Sequence, residues 1–581
     1  MIGIFKTAIN RPTKCRPSKR PQAIFESAFK RRITLSVTLI QEIGQATELK
    51  QALSDLDMSK ILCFVDPRMK TPDAEKFMLQ YFSSDFAEIE SRMAALTDFK
   101  QLTTAKALQH AIDSILAIRT EEDKLNLAGY KLQDVLYRWR RMSAYVACIE
   151  EWNQLLAAGS AQSQRVKDLI ALFKELAAEP LFTKCKSIIA ELETLLPLPR
   201  YLNLGFNARE DGYPSEMGIL GTEADEQPLN ALLYHTDPKQ PSEGLGPEFV
   251  YTRAMYGSHF DEYIMRGLEK EWKSSISKAA KLVEPVELPH SPELLALARP
   301  LQFYQVGLLC SEAFEGRGYT LCRPQALQNV SLTMKDVHYP ELVLHNDGIQ
   351  GNDLLLQTGH AVVITGANHS GKTSYLKTVG QSYMLAQLGF FVPAESMQFT
   401  PVTGIYTLFS AGEDSSMTAS RMGVEIKKLT GILKEAAATD LVLLNEPMTS
   451  TNPVEAVSIC ADLSRHFLQK GITHLLVTHL YDIYFLLKAQ LTGDLRAKLE
   501  SLITQSHYDE AAGAMSHSYH LINAEPLGNS YARETATAYG ITLEDMIPAG
   551  ALLDQAEAYR QANNINSIYE GDENNGLSDN H

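Results

Sequence analysis

The feature that most constrains this chain is a junction. The apolar run Ala361-Val362-Val363-Ile364-Thr365 leads straight into Gly366-Ala367-Asn368-His369-Ser370-Gly371-Lys372-Thr373, and then into a helix-forming segment that closes near Gly389. The octapeptide satisfies G-x-x-x-x-G-K-[ST], and a strand before it with a helix after it is the setting in which that pattern has a mechanism. The glycines let backbone N–H groups close around a β-phosphate, and the helix N-terminus adds positive potential. Lys372 is then expected to bridge β- and γ-phosphates, and the Thr373 hydroxyl to face Mg²⁺. The sequence therefore predicts an α/β P-loop NTPase domain with ATP and Mg²⁺ as its cofactors.

Two further apolar runs extend this reading. Leu441-Val442-Leu443-Leu444 ends in Asn445-Glu446, where a P-loop ATPase carries the acids of its second motif. Glu446 is the candidate for orienting and deprotonating the attacking water. Asn445 departs from the usual aspartate; its amide oxygen can accept a hydrogen bond from a Mg²⁺-bound water, but without the full charge. His474-Leu475-Leu476-Val477-Thr478 delivers His479, at the place where ABC-type ATPases hold a histidine against the γ-phosphate.

The chain has 581 residues, more than one hydrophobic core usually supports, so two to four domains are expected. No apolar run reaches the roughly 18 residues of a membrane span, and the N-terminus lacks the pattern of a secretory signal, which predicts a cytoplasmic protein with no membrane partner. Seven cysteines form no C-x-x-C pair, which fits reduced thiols. A net charge of −16 argues against a surface that is basic all over, so any nucleic-acid contact needs a local patch or an enclosed channel. Residues 1–33 carry nine Lys or Arg against the single acid Glu26, with Pro12, Pro17 and Pro21 interrupting any helix. They read as an irregular basic leader, either a solvated tail or an arm for DNA phosphates.

From Thr34 to Pro197 the pattern is helical. It is clearest where Leu132, Val135, Trp139, Met142, Val146, Ile149, Trp152 and Leu156 recur at steps of three and four, stopped by Gly159-Ser160. Arg138, Arg140 and Arg141 read as the solvated side of that helix. Alternation from Tyr201 to Leu220 around Asp211-Gly212 predicts a β-hairpin. Helical text resumes from Ser258 to Phe314, broken at Val283 to Pro292, and strand-like text starts near Val330. The expected organisation is a leader (1–33), a helical region with a small β element near 201–220 (34–329), the ATPase domain (330–558) and an acidic, disordered tail (559–581). No internal repeat at a fixed period occurs.

From Val330 to about Ala558 the wording resembles the ATPase of the MutS family of DNA mismatch-repair proteins. Gly389-Phe390-Phe391-Val392-Pro393-Ala394 is very close to that family's Gly-x-x-Val-Pro-Ala, which has no general ATPase rationale. Asp336-Val337-His338-Tyr339-Pro340 with Asn352 stands where the family has its Arg-His-Pro and Pro-Asn elements. Gly412-Glu413-Asp414 through Ser420 to Val424-Glu425 is similar to its signature loop, with Ser420 at the key serine and Arg421-Met422-Gly423 departing from the usual wording. Thr449-Ser450-Thr451-Asn452 and Gly528-Asn529-Ser530-Tyr531 resemble segments at the dimer interface, and Asp55-Leu56-Asp57-Met58 the opening of the helical core in shortened relatives.

The resemblance implies a helical core and lever followed by an ABC-type ATPase. It also implies a homodimer closing on duplex, mismatched or branched DNA, with Ser420 completing the partner's site. A helical core that begins near residue 53 leaves no room for the family's mismatch-binding and connector domains, so branched or undamaged duplex is the expected ligand. Phe-x-Glu matches at Phe86, Phe173 and Phe260 are coincidences of helical or core-like text. Two other readings stand: a nucleotide-gated binding module with little turnover, and an ATP-driven regulator of protein partners.

Overall fold

The computed structural model describes residues 49–157, 159–196, 201–208, 210, 214–223, 264–328, 332–409, 421–509 and 514–526. The leader at 1–33, the turn at Asp211-Gly212, Phe260, Ser420, the Gly528–Tyr531 segment and the tail at 559–581 lie outside the described residues.

The first half is helical: Leu49–Asp55, Met58–Val65, Thr71–Tyr81, Phe86–Leu102, Ala105–Leu125, Lys131–Leu156, Gln164–Ala178 and Pro180–Leu195. Several starts are written locally. Asp85, Thr104 and Ser163 cap the helices that follow them by accepting from the N–H groups of Ala87, Ala107 and Val166. The stripe read from Leu132 to Leu156 lies on one helix, Lys131–Leu156, which ends just before Gly159. On it Trp152 is fully buried, stacks on Phe173 at 5.0 Å, and donates its indole N–H to the Ala111 carbonyl at 2.9 Å. Phe173 is thus a core residue. The expectation of a solvated arginine face needs correction. Arg138 pairs with Asp134 at 2.9 Å and Arg141 with Glu122 at 3.3 Å, so of the three only Arg140 stands exposed. The helix packs against Ala105–Leu125, Gln164–Ala178, Pro180–Leu195 and Lys273–Val283, and the first of these brings Glu122 to Arg141.

Strands β1 (Tyr201–Ala208) and β2 (Pro214–Glu223) form the antiparallel hairpin, with Leu204 opposite Ile219 and Phe206 opposite Met217. Helices return at Lys273–Val283 and Ser291–Gly316, separated where Val283 to Pro292 interrupts the pattern.

The α/β region carries β3 (Leu321–Cys322), β4 (Gln325–Ala326), β5 (Leu332–Val337), β6 (Asn352–Leu356), β7 (Ala361–Thr365), β8 (Val392–Pro393), β9 (Ser396–Phe399), β10 (Ile405–Phe409), β11 (Leu441–Asn445), β12 (Thr473–Val477), β13 (Leu499–Asp509) and β14 (Ala514–Asn523). The main sheet runs β10-β11-β12-β7-β13-β14, parallel except for β14 at the edge. Every residue of β7, β11 and β12 is buried, as strands covered on both faces require. A second sheet, β4-β9-β5-β6, lies beside it.

The helical half touches this region through the P-loop helix, Lys372–Leu388. An added Cβ at Gly380 would sit 2.5 Å from Leu56 Cδ2, so the helix accepts Leu56 only because residue 380 has no side chain. The neighbouring Gln381 is wholly buried and satisfied at both ends. It donates to the Leu56 carbonyl at 2.7 Å and accepts from the Glu341 N–H at 3.0 Å. Lys377 pairs with Asp57, and the Thr407 hydroxyl of β10 donates to Asp55 at 2.7 Å. At the far end of the helix, Gly389 lies against Arg92, which is buried with Glu88 and packs over Phe303 at 5.3 Å.

Candidate functional site

β7, β11 and β12 are neighbours in the sheet, so their C-terminal ends open side by side, and each ends at a residue singled out in the sequence. This is where open α/β sheets place ligands. From β7 the chain turns at Gly366, whose φ is +145° and whose missing Cβ would lie 1.9 Å from Thr504 Oγ1. No other residue fits there. Thr504, on β13, donates to Ser370 Oγ at 2.6 Å, and Ser370 donates to the Ala367 carbonyl at 2.6 Å. The loop Gly366–Gly371 is thereby fixed from the adjoining strand. Asn368, His369, Gly371, Lys372 and Thr373 line the cleft it borders; Ala367 and Ser370 are buried beneath.

Lys372 is nearly buried. Its ammonium donates to the carbonyls of Gly366 at 2.9 Å and Ala367 at 2.7 Å. Burial holds its pKa below the usual lysine value, while the Glu446 carboxylate pulls the other way. Thr373 donates its hydroxyl to Asn445 Oδ1 at 2.8 Å across from β11. A hydroxyl and an amide oxygen together at the mouth of a phosphate loop fit Mg²⁺, a hard ion that keeps several waters and takes few protein oxygens.

Glu446 follows β11 with φ +49°, in the left-handed region, and its N–H donates to the Val477 carbonyl at 2.8 Å. From β12 comes His479, whose Nδ1 lies 2.6 Å from Glu446 Oε2. That hydrogen bond raises the His479 pKa above its ordinary value. Thr373, Asn445, Glu446 and His479, drawn from three separate stretches of sequence, thus meet at the C-terminal ends of adjacent interior strands.

The cleft has a volume of about 1120 Å³. Its lining also includes Tyr339, from the Asp336–Pro340 segment, together with Ile349 and Tyr519, which the sequence did not mark. Tyr519 is half-exposed with φ +55°. Asn352 holds it there, donating to the Tyr519 carbonyl at 3.0 Å and accepting from the Leu521 N–H at 2.9 Å. The loop bearing Ile349 is tied by Tyr319, whose hydroxyl donates to the Asn346 carbonyl at 3.2 Å and accepts from the Ile349 N–H at 3.0 Å. The Gly348-Ile349-Gln350-Gly351 stretch could have suggested a ligand loop, whereas nothing local marks Tyr519.

Residues 362–539 match the family model for MutS domain V. Over 216 residues, 37% of this chain and 25% of the relative, the sequence is 33% identical to the DNA mismatch repair protein MutS of Thermus aquaticus. Over 207 residues, 36% of this chain and 24% of the relative, it is 31% identical to the DNA mismatch repair protein MutS of Thermus thermophilus. The matched stretch spans about a quarter of the length of these relatives.

Proposed function

We propose, from the match of residues 362–539 to the family model for MutS domain V, that this chain is a shortened MutS-like ATPase of the ABC type whose nucleotide cycle drives a DNA-bound homodimer in mismatch repair or recombination-related DNA maintenance. The observation that carries this is the convergence of Thr373, Asn445, Glu446 and His479 beside the P-loop. The division proposed is a helical core and lever at 34–329 serving an ATPase domain at 330–558, in the cytoplasm. Among the described residues no helix is long and apolar enough to cross a membrane.

The backbone N–H groups of Gly366 to Gly371 and the ammonium of Lys372 hold the triphosphate. The base lies against Ile349 and Tyr519, which line the same cleft. Thr373 and Asn445 hold Mg²⁺, which when bound neutralises charge on the phosphate oxygens. Glu446 takes the proton of the attacking water, and His479 holds that carboxylate and faces the γ-phosphate. By resemblance, the role proposed for Ser420 is to complete the partner's site. Glu446→Gln should lower turnover by roughly 100-fold or more while ATP still binds.

Asn445 favours a second reading, a nucleotide-gated binding module with little turnover. It predicts ATP-dependent dimer closure without phosphate release, and E446Q would then change nothing. DNA is tested by titrating homoduplex, mismatched and junction DNA at two salt concentrations, with and without ATP. Affinity that weakens steeply with salt supports the DNA reading. No affinity in any arm leaves an ATP-driven regulator of protein partners.

A further inference from the structure

We propose that Glu425 is a positioning residue for hydrolysis, fastening the left-handed turn that aims Glu446. The inference rests on the reading of Glu446 as the carboxylate that orients water. Two non-glycine residues in this turn have positive φ, Glu446 at +49° and Met448 at +63°, with Pro447 between them. Such conformations cost free energy and persist only where surrounding bonds enforce them. Pro447 has no N–H to offer. Its carbonyl accepts a long contact from Cys460 Sγ at 3.7 Å.

The enforcement comes from Glu425, on the helix Arg421–Glu435. Its Oε1 accepts from the Met448 N–H at 2.5 Å, and its Oε2 accepts from the Ser450 hydroxyl at 3.1 Å. One carboxylate thus grips the chain at two points just after Glu446. Met448 is fully buried, and without Glu425 its N–H would lose its partner. Relaxation of Met448 to negative φ would regain that bond elsewhere and swing Glu446 with it. Glu425 does not line the nucleotide cleft, and Lys372 and Thr373 are held by other partners. Its loss should therefore be felt in the hydrolytic step and not in ATP binding.

The test measures steady-state ATP hydrolysis by the full chain and its E425A, E425Q and E446Q variants. E425A should lower kcat roughly 10- to 100-fold, as sub-ångström to ångström misplacement of a catalytic group does, with KM within about threefold. E425Q should recover kcat to within about threefold of wild type, because its amide oxygen still accepts from Met448. Should E425A not fold, E425D, one methylene too short to reach Met448, carries the same expectation. Unchanged kcat in E425A beside a collapsed E446Q overturns the proposal and leaves the reading of Glu446 standing. Equal losses in E425A and E425Q, or a KM that rises in step, also overturn it, since a mere structural staple behaves so. An unaffected E446Q removes the reading of Glu446, and the proposal with it.

Discussion

Thr373 and Asn445 meet through one hydrogen bond, hydroxyl to amide oxygen, at 2.8 Å, although 72 positions separate them. At the site proposed for Mg²⁺ the pair offers two neutral oxygens. A charged acceptor strengthens such bonds by about 1 kcal/mol over a neutral one. Asn445→Asp should then lower the Mg²⁺ concentration for half-maximal hydrolysis by roughly fivefold and raise kcat. A Mg²⁺ titration of both proteins decides it. An unchanged or higher requirement would mean the site is built around the amide.

The His479–Glu446 contact gives a pH dependence with a definite sign. The hydrogen bond to Glu446 raises the imidazole's pKa above its usual 6.5. The contribution of a group raised on folding is fully present below its unfolded pKa and fades as pH rises through the folded value. Histidine hydrogen–deuterium exchange should place the His479 midpoint above 6.5, and E446Q should bring it down. His479 is 44% exposed, so the effect on overall stability stays small.

His474 works in the opposite direction. It is fully buried, with Nε2 2.6 Å from Ser464 Oγ and Nδ1 3.1 Å from the Ile472 carbonyl, and burial drives its pKa down to about 4. The unfolded chain takes up a proton near pH 6.5 that the folded chain refuses, so stability falls as pH drops through that window. Between about pH 7 and 4.5 this costs roughly 2 kcal/mol, from about 1.36 kcal/mol per pKa unit. Denaturation midpoints at the two pH values should show a smaller loss in H474Q than in the wild type.

Gly380 and Leu56 should be coupled. A Cβ at 380 would lie 2.5 Å and 2.7 Å from the two Leu56 methyls and 2.9 Å from Leu443 Cδ1, all in fully buried side chains. Overpacking of about 1–3 kcal/mol outweighs the ~1 kcal/mol that alanine gains in a helix, so G380A should be the less stable protein. L56A alone should cost about 2–4 kcal/mol. The double variant should be more stable than the sum by at least ~1 kcal/mol, and additive losses in urea denaturation would refute the packing argument.

Glu88 is the shared acceptor of two arginines. Arg92 Nε donates to it at 2.7 Å, and the Arg165 guanidinium reaches both of its oxygens. Arg92 is wholly excluded from solvent. Removing one side of a buried ion pair strands the other, so E88A should cost about 3–5 kcal/mol in chemical denaturation, far more than a surface pair.

What was legible in the sequence is what is contiguous. β7, β11 and β12 each carry a short apolar run, and the polar residues proposed for the site stand at or just after the strand ends. The helix Lys131–Leu156 was legible because its period repeats along its whole length. Tyr519 and the Tyr319 clip were not, because each acts across a sequence gap and leaves no local pattern, and Glu425 stood out only as the end of the signature-loop resemblance, with nothing to mark its bond to Met448. The arginines of that same helix misled, since the 3.6 period gives a polar face without saying what lies against it. Gly380 was a signal left unused: a glycine inside a helix costs about 1 kcal/mol and so implies a packing reason.

The bond from Gln381 to the Leu56 carbonyl sets a limit on how this protein can be divided. A piece beginning at residue 330 would keep every residue proposed to hold nucleotide, yet it would open the slot over Gly380 to water and strand an amide whose partner is gone. Such a fragment should be soluble only with difficulty and catalytically unreliable, whatever its phosphate loop promises. The smallest self-sufficient unit has to include residues 55–57. In this molecule the engine begins some 300 positions before the motif that names it.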